Sequence, residues 1–442
     1  MRDDARPAAP AGNSVARVVL ASFIGTTIEW YDFFLYGTAA ALVFNKLFFP
    51  TLDPFAGTMA SFATYAVGFF ARPVGGIVFG HFGDRMGRKS MLVTTLMLMG
   101  MATFLIGVLP TYDQVGKLAP ILLVTLRFVQ GFGVGGEWGG AVLMVVEHGH
   151  QGRRGLNASW VQAGVPAGMV LATTIFGLFS WLPDEAFLSW GWRLPFLLGI
   201  ALLCVGLFIR LQILESPLFA KMRDRNEQAG IPFFAVLKRY PRNILLAMGA
   251  RVAENGSFYI FTVFVLTYAT VELNVSRTSV LTGVLVASVA EFLVIPAFGL
   301  LSDRVGRRPV YLAGALGLAL FSFPFFWMID TGHPTIIGLA IVIGLVVQSA
   351  MYAPQAAFFS ELFGTEVRYT GASIGYHLAT PLAGGLAPLV CMALLRWADG
   401  SPWPIALYMI GLSTITLVSV WLAAETRDAQ LGEAGSPTRP KT

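Results

Sequence analysis

Charge is scarce in this 442-residue sequence: Asp, Glu, Lys and Arg together make up 12% of it, about half the share found in soluble domains. Charged side chains form most of a soluble surface, so an ordinary cytosolic enzyme is excluded. Cysteine is nearly absent. Cys204 and Cys391 both lie inside apolar runs, which argues against a disulfide framework and against a zinc site with clustered ligands. No H-E-x-x-H, G-x-S-x-G or G-x-x-x-x-G-K-[ST] pattern occurs, and the five histidines are scattered. A membrane-embedded enzyme and an ATP site are therefore unsupported, and no metal is expected. No polar segment is long enough for a signalling domain, which counts against a membrane sensor. The net charge of +5 could suit nucleic acid, but the basic residues sit in short segments between apolar runs, so no nucleic-acid partner is expected. What the chain does have is 55% hydrophobic residues, with 35 Phe and 10 Trp, the composition of a protein whose outer surface faces a lipid bilayer.

The apolar runs read as twelve transmembrane helices, at 17–43, 56–82, 90–110, 119–147, 155–181, 192–213, 243–271, 279–301, 309–329, 335–362, 369–395 and 403–424. Each is about the length one bilayer crossing requires. With the N-terminus placed in the cytoplasm, 22 of the 30 Lys and Arg fall on the cytoplasmic side and 5 on the other, with Arg72, Arg127 and Arg251 left inside spans. That bias predicts both termini in the cytoplasm. The expected organisation is a leader (1–16), a six-helix half (17–213), a basic linker (214–242), a second six-helix half (243–424) and a tail (425–442). The fold class is thus an all-α polytopic membrane protein, two pseudo-symmetric halves of six helices.

The division into halves rests on a repeat. Gly80-His-Phe-Gly-Asp84-Arg85-Met-Gly87-Arg88-Lys89 follows the second span, and Gly299-Leu-Leu-Ser-Asp303-Arg304-Val-Gly306-Arg307-Arg308 follows the eighth, an offset of 219 residues. Matching loops after the second span of each half point to homologous halves. The glycines suit tight turns, the Asp suits a neighbouring helix N-terminus, and the arginines can reach acids at nearby helix ends, Glu147 and Glu361 being the candidates. Such a cluster can serve as a cytoplasmic gate. Plain positive-inside anchoring explains the basic residues but not the repeated Asp and Gly.

Ionisable residues at membrane depth are costly, so each is a functional candidate. Arg72 and Glu291 each lie 12 residues before the Asp of their own loop, about 18 Å from that face. In the first span Glu29, Asp32 and Tyr36 form one polar stripe. Arg127 and Gln130 share a stripe in the fourth, and Arg251, Glu254, Asn255 and Tyr259 line the seventh. Tyr352 and Gln355 are three apart in the tenth, and in the eleventh Tyr376 and His377 are adjacent, so that one of the two is expected to face inward. Bland alternatives exist for each. Arg72 could brace the kink at Pro73, Arg251–Glu254 could be a self-neutralising i,i+3 pair, Glu137 could bond to another helix, and His377 and the tyrosines could simply pack. Gly135, Gly136, Gly139 and Gly140 fit close helix packing. Five buried acids (Glu29, Asp32, Glu137, Glu254, Glu291) against three arginines leave carboxylates to be protonated.

Several segments carry a specific resemblance. Ile28-Glu29-Trp30-Tyr31-Asp32-Phe33-Phe34-Leu35-Tyr36-Gly37, Arg127-Phe-Val-Gln130-Gly131-Phe-Gly133-Val-Gly135-Gly136-Glu137-Trp138-Gly139-Gly140-Ala141, the two G-x-x-x-D-R-x-G-R-[KR] loops, Leu188-Ser-Trp190-Gly191-Trp192-Arg193-Leu-Pro195-Phe196 and Glu215-Ser216-Pro217 resemble the major facilitator superfamily, and within it the metabolite:proton symporters of shikimate, 2-oxoglutarate, citrate and proline/betaine, nearest the shikimate type. The resemblance covers nearly the whole chain. It implies proton-coupled uptake by alternating access in the cytoplasmic (inner) membrane, with no cofactor beyond the coupling proton. It favours a coupling role for Arg127, and the proton element is expected among Asp32, Glu29, Arg127 and Glu137. Substrate contacts are expected from Arg127, Gln130, Tyr36, Arg72, Arg251, Glu254, Asn255, Tyr259, Glu291, Tyr352, Gln355, Tyr376 and His377. The expected partners are a small organic acid or a zwitterion, protons and the bilayer, for a monomer. A zwitterionic osmolyte as substrate, or an uncoupled facilitator or antiporter on the same fold, stays open. The short tail after Glu425 has no room for a coiled coil and favours an organic acid.

Overall fold

The structure is a computed structural model that describes residues 15–149, 151–179, 181–212, 232–364 and 367–429, and those residues form helices without a strand. Twelve long helical runs correspond to the twelve expected spans. They are α1 (Val15–Ala39, continued by π-helical and α turns to Leu47), α2 (Pro54–Met86), α3 (Arg88–Gly107), α4 (Leu118–His148), α5 (Arg154–Phe179), α6 (Arg193–Leu211), α7 (Pro241–Tyr259, continued to Glu272), α8 (Arg277–Val305), α9 (Arg307–Ile329), α10 (Pro334–Glu361), α11 (Arg368–Trp397, with a π-helical turn at Pro381–Gly385) and α12 (Trp403–Leu422). Eleven are long and apolar enough to cross a membrane. The other, α7, is the one diluted by Arg242, Arg251, Glu254 and Asn255. Helix ends differ from the sequence reading by a few residues, because charged residues at span edges, such as Arg88, Arg154 and Arg307, still take helical conformation. The linker from 213 to 231, with Glu215-Ser216-Pro217, the leader to residue 14 and the tail beyond 429 lie outside the described residues.

Local chemistry sets the breaks. Gly87 and Gly306 take φ of 110° and 106°, a region open to glycine and closed to most L-residues, and each turns the chain from one helix into the next. Pro241 and Pro334 occupy the first turns of α7 and α10, where a missing N–H costs nothing. π-Helical turns interrupt α1 at Ala40–Phe44 and α7 at Ile260–Phe264, matching places in the two halves.

Helices α1–α6 pack chiefly on one another, as do α7–α12. The two sets meet where α5 lies along α8 and α10, and where α2 lies along α11. The glycines of α4 serve close packing: a Cβ on Gly131 would collide with the backbone of Gly68, and one on Gly135 with the Arg72 carbonyl. Replacing Gly135 by Ala is therefore expected to cost about 1–3 kcal/mol through overpacking and to lower the thermal unfolding temperature in detergent. Gly411→Ala in α12, where an added Cβ meets nothing within 4 Å, is the control and should leave that temperature unchanged.

Candidate functional site

The first half assembles its polar centre on an aromatic band. Glu29, Asp32 and Tyr36 of α1 are all buried. The Tyr36 hydroxyl donates to Thr64 Oγ1 at 2.7 Å. Arg127 of α4 donates through Nη1 to Gln130 Oε1 at 3.0 Å, and Gln130 Nε2 donates to Thr103 Oγ1 at 2.6 Å. Thr103, whose hydroxyl donates to the Met99 carbonyl at 3.1 Å, lies beside Asp32 against Gly199. Helical depth alone sets Asp32 or Glu29 directly opposite Arg127. The structure instead interposes Gln130 and Thr103, and no ion pair joins either acid to Arg127 among the described residues.

Two arginines here are only 1% exposed and lack a carboxylate partner. The Arg127 guanidinium carbon sits 4.2 Å from the Tyr36 ring centroid, 4.5 Å from that of Phe33 and 4.8 Å from that of Tyr65. Its Nε and Nη2 have no hydrogen-bond partner. Arg72 of α2 lies 4.3 Å from the Phe33 centroid, 4.8 Å from Phe69 and 5.3 Å from Trp30, and none of its three guanidinium nitrogens has a partner. Cation–π contact of this kind contributes about 0.5–2 kcal/mol per ring, well short of what desolvating a guanidinium costs. Two forks of donors around one phenyl ring thus lack acceptors.

Glu137 belongs elsewhere. It pairs with Arg210 of α6 and accepts a hydrogen bond from Thr95 at 3.1 Å, tying α3, α4 and α6 together. By hydropathy Arg210 counts with the basic loop after span six. It is instead buried in the bundle, the helix running one residue past it.

In the second half, Arg251 and Glu254 pair directly. The pair is embedded among amide groups: Arg251 Nη1 donates to Gln355 Oε1 at 2.8 Å, Gln348 and Gln355 donate to the two Glu254 oxygens at 2.8 and 3.3 Å, and Arg251 Nε is left without a partner. The Tyr376 ring lies 3.6 Å from the Arg251 guanidinium carbon. By contrast, Asn255 Oδ1, the Tyr259 hydroxyl and both Glu291 oxygens lack partners. Tyr376 and His377 are both buried, not one of them. Tyr376 faces α4 and α7, and His377 faces Gly76 of α2 with both ring nitrogens unpartnered. The Tyr259 ring stands edge-on to Phe69 at 5.2 Å, across the seam between halves.

Between this centre and the end carrying the repeated loops, the halves are closed. Trp138 of α4 stacks on Tyr376 with centroids 3.7 Å apart, its Nε1 donates to Gln162 Oε1 at 2.7 Å, and Gln162 Nε2 donates to the Tyr352 carbonyl at 3.0 Å. Trp138 and Tyr352 are 214 residues apart, as are Gln162 and Tyr376 and also Glu147 and Glu361, so past the 219-residue offset of the loops the match between halves continues five residues shorter and the closure is built from matching positions.

At the loop end the two motifs act as near mirror pieces. Asp84 Oδ2 accepts from the Thr370 N–H at 3.0 Å and its hydroxyl at 2.7 Å, at the start of α11. Gly80 abuts the same threonine. Asp303 accepts from the Gly155 and Leu156 N–H groups, both at 2.8 Å, at the start of α5. Each Asp thereby caps a helix of the opposite half, where the dipole favours an anion. Arg88 pairs with Glu147, and Arg307 with Glu361 at 3.3 Å. Of the motif arginines, Arg85 and Arg304 are exposed and pair with no acid among the described residues, and Arg308 caps the carbonyls of Val420 and Trp421. Two partners were missed by sequence reasoning: Arg368 reaches Glu147 at 3.3 Å and Arg154 reaches Glu361 at 3.7 Å, again between halves. Their signal was present as a second repeat, Glu147…Arg154 and Glu361…Arg368, each seven apart. The chain after α12 joins the cluster, since Glu425 caps the start of α9 and Thr426 donates to Glu361 at 2.7 Å.

The comparisons with known proteins agree with this architecture. The Major Facilitator Superfamily profile matches residues 22–388 and 247–441. The chain is 41% identical to the shikimate transporter of Escherichia coli K12, covering 93% of this chain and 95% of that one. It is 41% identical to the inner membrane metabolite transport protein YhjE of the same strain (95% and 96%) and 32% identical to its proline/betaine transporter (94% and 84%). Among solved structures, the proton:xylose symporter XylE bound to 6-bromo-6-deoxy-D-glucose superposes with a TM-score of 0.79 at 17% identity, covering 95% of this chain and 98% of that one. The chain is a membrane transporter and not an enzyme, and it belongs to the major facilitator superfamily.

Proposed function

We propose that this transporter takes up a small organic acid of the shikimate or keto-carboxylate kind together with protons, by alternating access of the two halves 17–213 and 243–424. The membrane is the cytoplasmic membrane, both termini lie in the cytoplasm, the protein acts as a monomer, and the coupling proton takes the place of a cofactor. The observation that carries the substrate reading is the pair of unpartnered guanidiniums, Arg72 and Arg127, on the Phe33 ring. A carboxylate supplies the acceptors that their forks lack, and Asn255, Tyr259 and His377 have capacity left for hydroxyl or keto oxygens. The similarity to a shikimate transporter supports the same class. Closure toward the cytoplasm through Trp138 and the Asp caps supports a two-faced mechanism.

The similarity to a proline/betaine transporter keeps a zwitterionic substrate as the second reading. A quaternary ammonium is recognised by open aromatic faces. Here the faces of Phe33, Tyr36, Tyr65 and Phe69 already hold arginines, so a second cation would be repelled.

Proton coupling is assigned to Asp32, with Glu29 as its neighbour. Both are buried without a cation in ion-pair contact among the described residues. The test is uptake by proteoliposomes from a panel of shikimate, quinate, 2-oxoglutarate, citrate and betaine, with and without an inward proton gradient. Accumulation of an acid that an uncoupler abolishes is the expected result. Accumulation of betaine alone, or uptake indifferent to the uncoupler, would overturn it. Asp32→Asn is expected to retain exchange of internal for external substrate while losing gradient-driven accumulation; full accumulation by that variant would exclude Asp32 as the carrier.

A further inference from the structure

Glu291, expected from the sequence among the substrate contacts, is not used by the carboxylate reading. It lies near the middle of α8, is 0% exposed, and among the described residues neither carboxylate oxygen has a hydrogen-bond partner. Its position follows from helical phase. Ser288 and Gly299 face α5, with Ser288 Oγ 2.9 Å from Met169 Sδ and Gly299 against Ser159. Gly283 faces Gly338 and Ile341 of α10. Glu291 falls between those two faces, in the corner where α5 and α10 meet α8.

The neighbouring helices offer it no cation. Arg154 at the start of α5 is the only charged residue of that helix, and Glu361 at the end of α10 is the only one of that helix. Both belong to the loop-end cluster, as does Arg307 at the start of α9, while Arg308 beside it caps the end of α12. Of the charged groups of α7, Arg242 lies near its start and Glu272 at the end of its continuation, while Arg251 and Glu254 pair with each other. A carboxyl group with neither cation nor donor is tolerated in so dry a place only as the neutral acid. In the alternating-access reading the place does not stay dry, because α5–α8 is one of the two seams along which the halves meet, and its loop end is held by the Asp303 cap alone among the Asp residues of the motifs.

We propose that Glu291 is a second proton carrier. It holds its proton while α5 and α8 are packed and gives it up when the seam opens toward the loop end. The O–H bond breaks, the electron pair stays on the carboxylate, and the proton passes to water entering the seam, so no other reactant is needed. The repeat places Arg72, a fixed cation, at the equivalent position of the other half, so the two halves contribute a substrate-binding charge and a titrating acid at matching depth. The inference rests on the proton-coupled reading but names a different residue, and the tests separate the two.

Two measurements decide it, both on the full chain in lipid. Infrared difference spectra taken across a pH titration should show a carboxylic-acid carbonyl band that vanishes in Glu291→Gln and survives in Asp32→Asn. If the band set is unchanged in Glu291→Gln, the proposal is overturned. In proteoliposomes with shikimate as probe, Glu291→Gln, which mimics the neutral acid, should preserve exchange while the proton-to-shikimate ratio falls by one. At a one-unit pH gradient that lowers steady-state accumulation about tenfold. Wild-type protein that moves no protons would sink the coupled reading and this proposal with it. Coupled wild type with an unchanged ratio in Glu291→Gln would sink this proposal alone. Glu291→Asp, which keeps the carboxyl, should keep the band and guards against misfolding.

Discussion

Replacing Arg127 by Gln is expected to cut uptake of the organic acid by roughly a hundredfold or more, and Arg127→Lys should restore only a small part of the loss. The size follows from the contacts. The Arg127 side chain is buried, spends one nitrogen on Gln130, and presents Nε and Nη2 without acceptors. A substrate carboxylate docking there forms two parallel charge-assisted hydrogen bonds, each worth about 1.5–3 kcal/mol net. Losing the pair therefore costs about 3 kcal/mol or more, beyond two powers of ten in affinity. Lysine keeps the charge but not the planar fork, and it stacks less well on Phe33 and Tyr36. Arg72→Gln should behave alike, since all three of its nitrogens await acceptors. The competing explanation is that these arginines only brace the aromatic band. It predicts a fall in thermal stability in step with the fall in uptake, and full function wherever packing is restored. Uptake and unfolding temperature measured on the same Arg127→Lys and Arg127→Gln preparations separate the two. If Arg127→Lys transports at the wild-type rate, the carboxylate fork is wrong.

Features legible from sequence are those where a single physical effect outweighs the rest. Apolar length fixes a membrane helix because backbone polar groups have no other partner in lipid, and so the twelve spans stand within a few residues of where hydropathy puts them. The repeated loops are legible because Gly87, Gly306, Asp84 and Asp303 each have one physical use, a positive φ or a helix cap. Pairings inside the bundle are not. Arg127 can be set opposite Asp32 on depth alone, but depth leaves rotation about the helix axis and side-chain reach open, and Gln130 and Thr103 occupy the space between. Arg210 and Arg368 look like positive-inside residues until the fold brings Glu137 and Glu147 to them. Aromatic residues give least warning. Phe33 and Tyr65 sit in apolar runs as lipid-facing residues would, and their use as seats for two guanidiniums depends on α2 and α4 approaching each other through glycines.

The two motif aspartates look equivalent in sequence, yet their asparagine variants are expected to differ sharply. Asp303 uses both oxygens, one for the Gly155 N–H and one for the Leu156 N–H, and the first also receives Arg307 at 2.7 Å. Asparagine has one acceptor oxygen, so in Asp303→Asn an NH2 group must face a backbone donor and the ion pair is gone. Asp84 places a single oxygen, Oδ2, on both Thr370 donors, and an asparagine carbonyl can take that same place. Asp303→Asn should therefore weaken closure at the loop end by about 2–3 kcal/mol, and Asp84→Asn by about 1 kcal/mol. Because the caps join opposite halves, that difference appears as conformational equilibrium, roughly 30–150-fold against about fivefold. Thiol labelling at Ser159→Cys, on the α5 face against Gly299, reports opening of that seam, with the exposed natural Cys204 replaced by Ser and Cys391 left buried. The Asp303→Asn background should label far faster than the wild type and the Asp84→Asn background only modestly faster. Equal acceleration by both variants would mean that the net charge of the cluster, not the hydrogen-bond geometry at each helix start, holds the halves together.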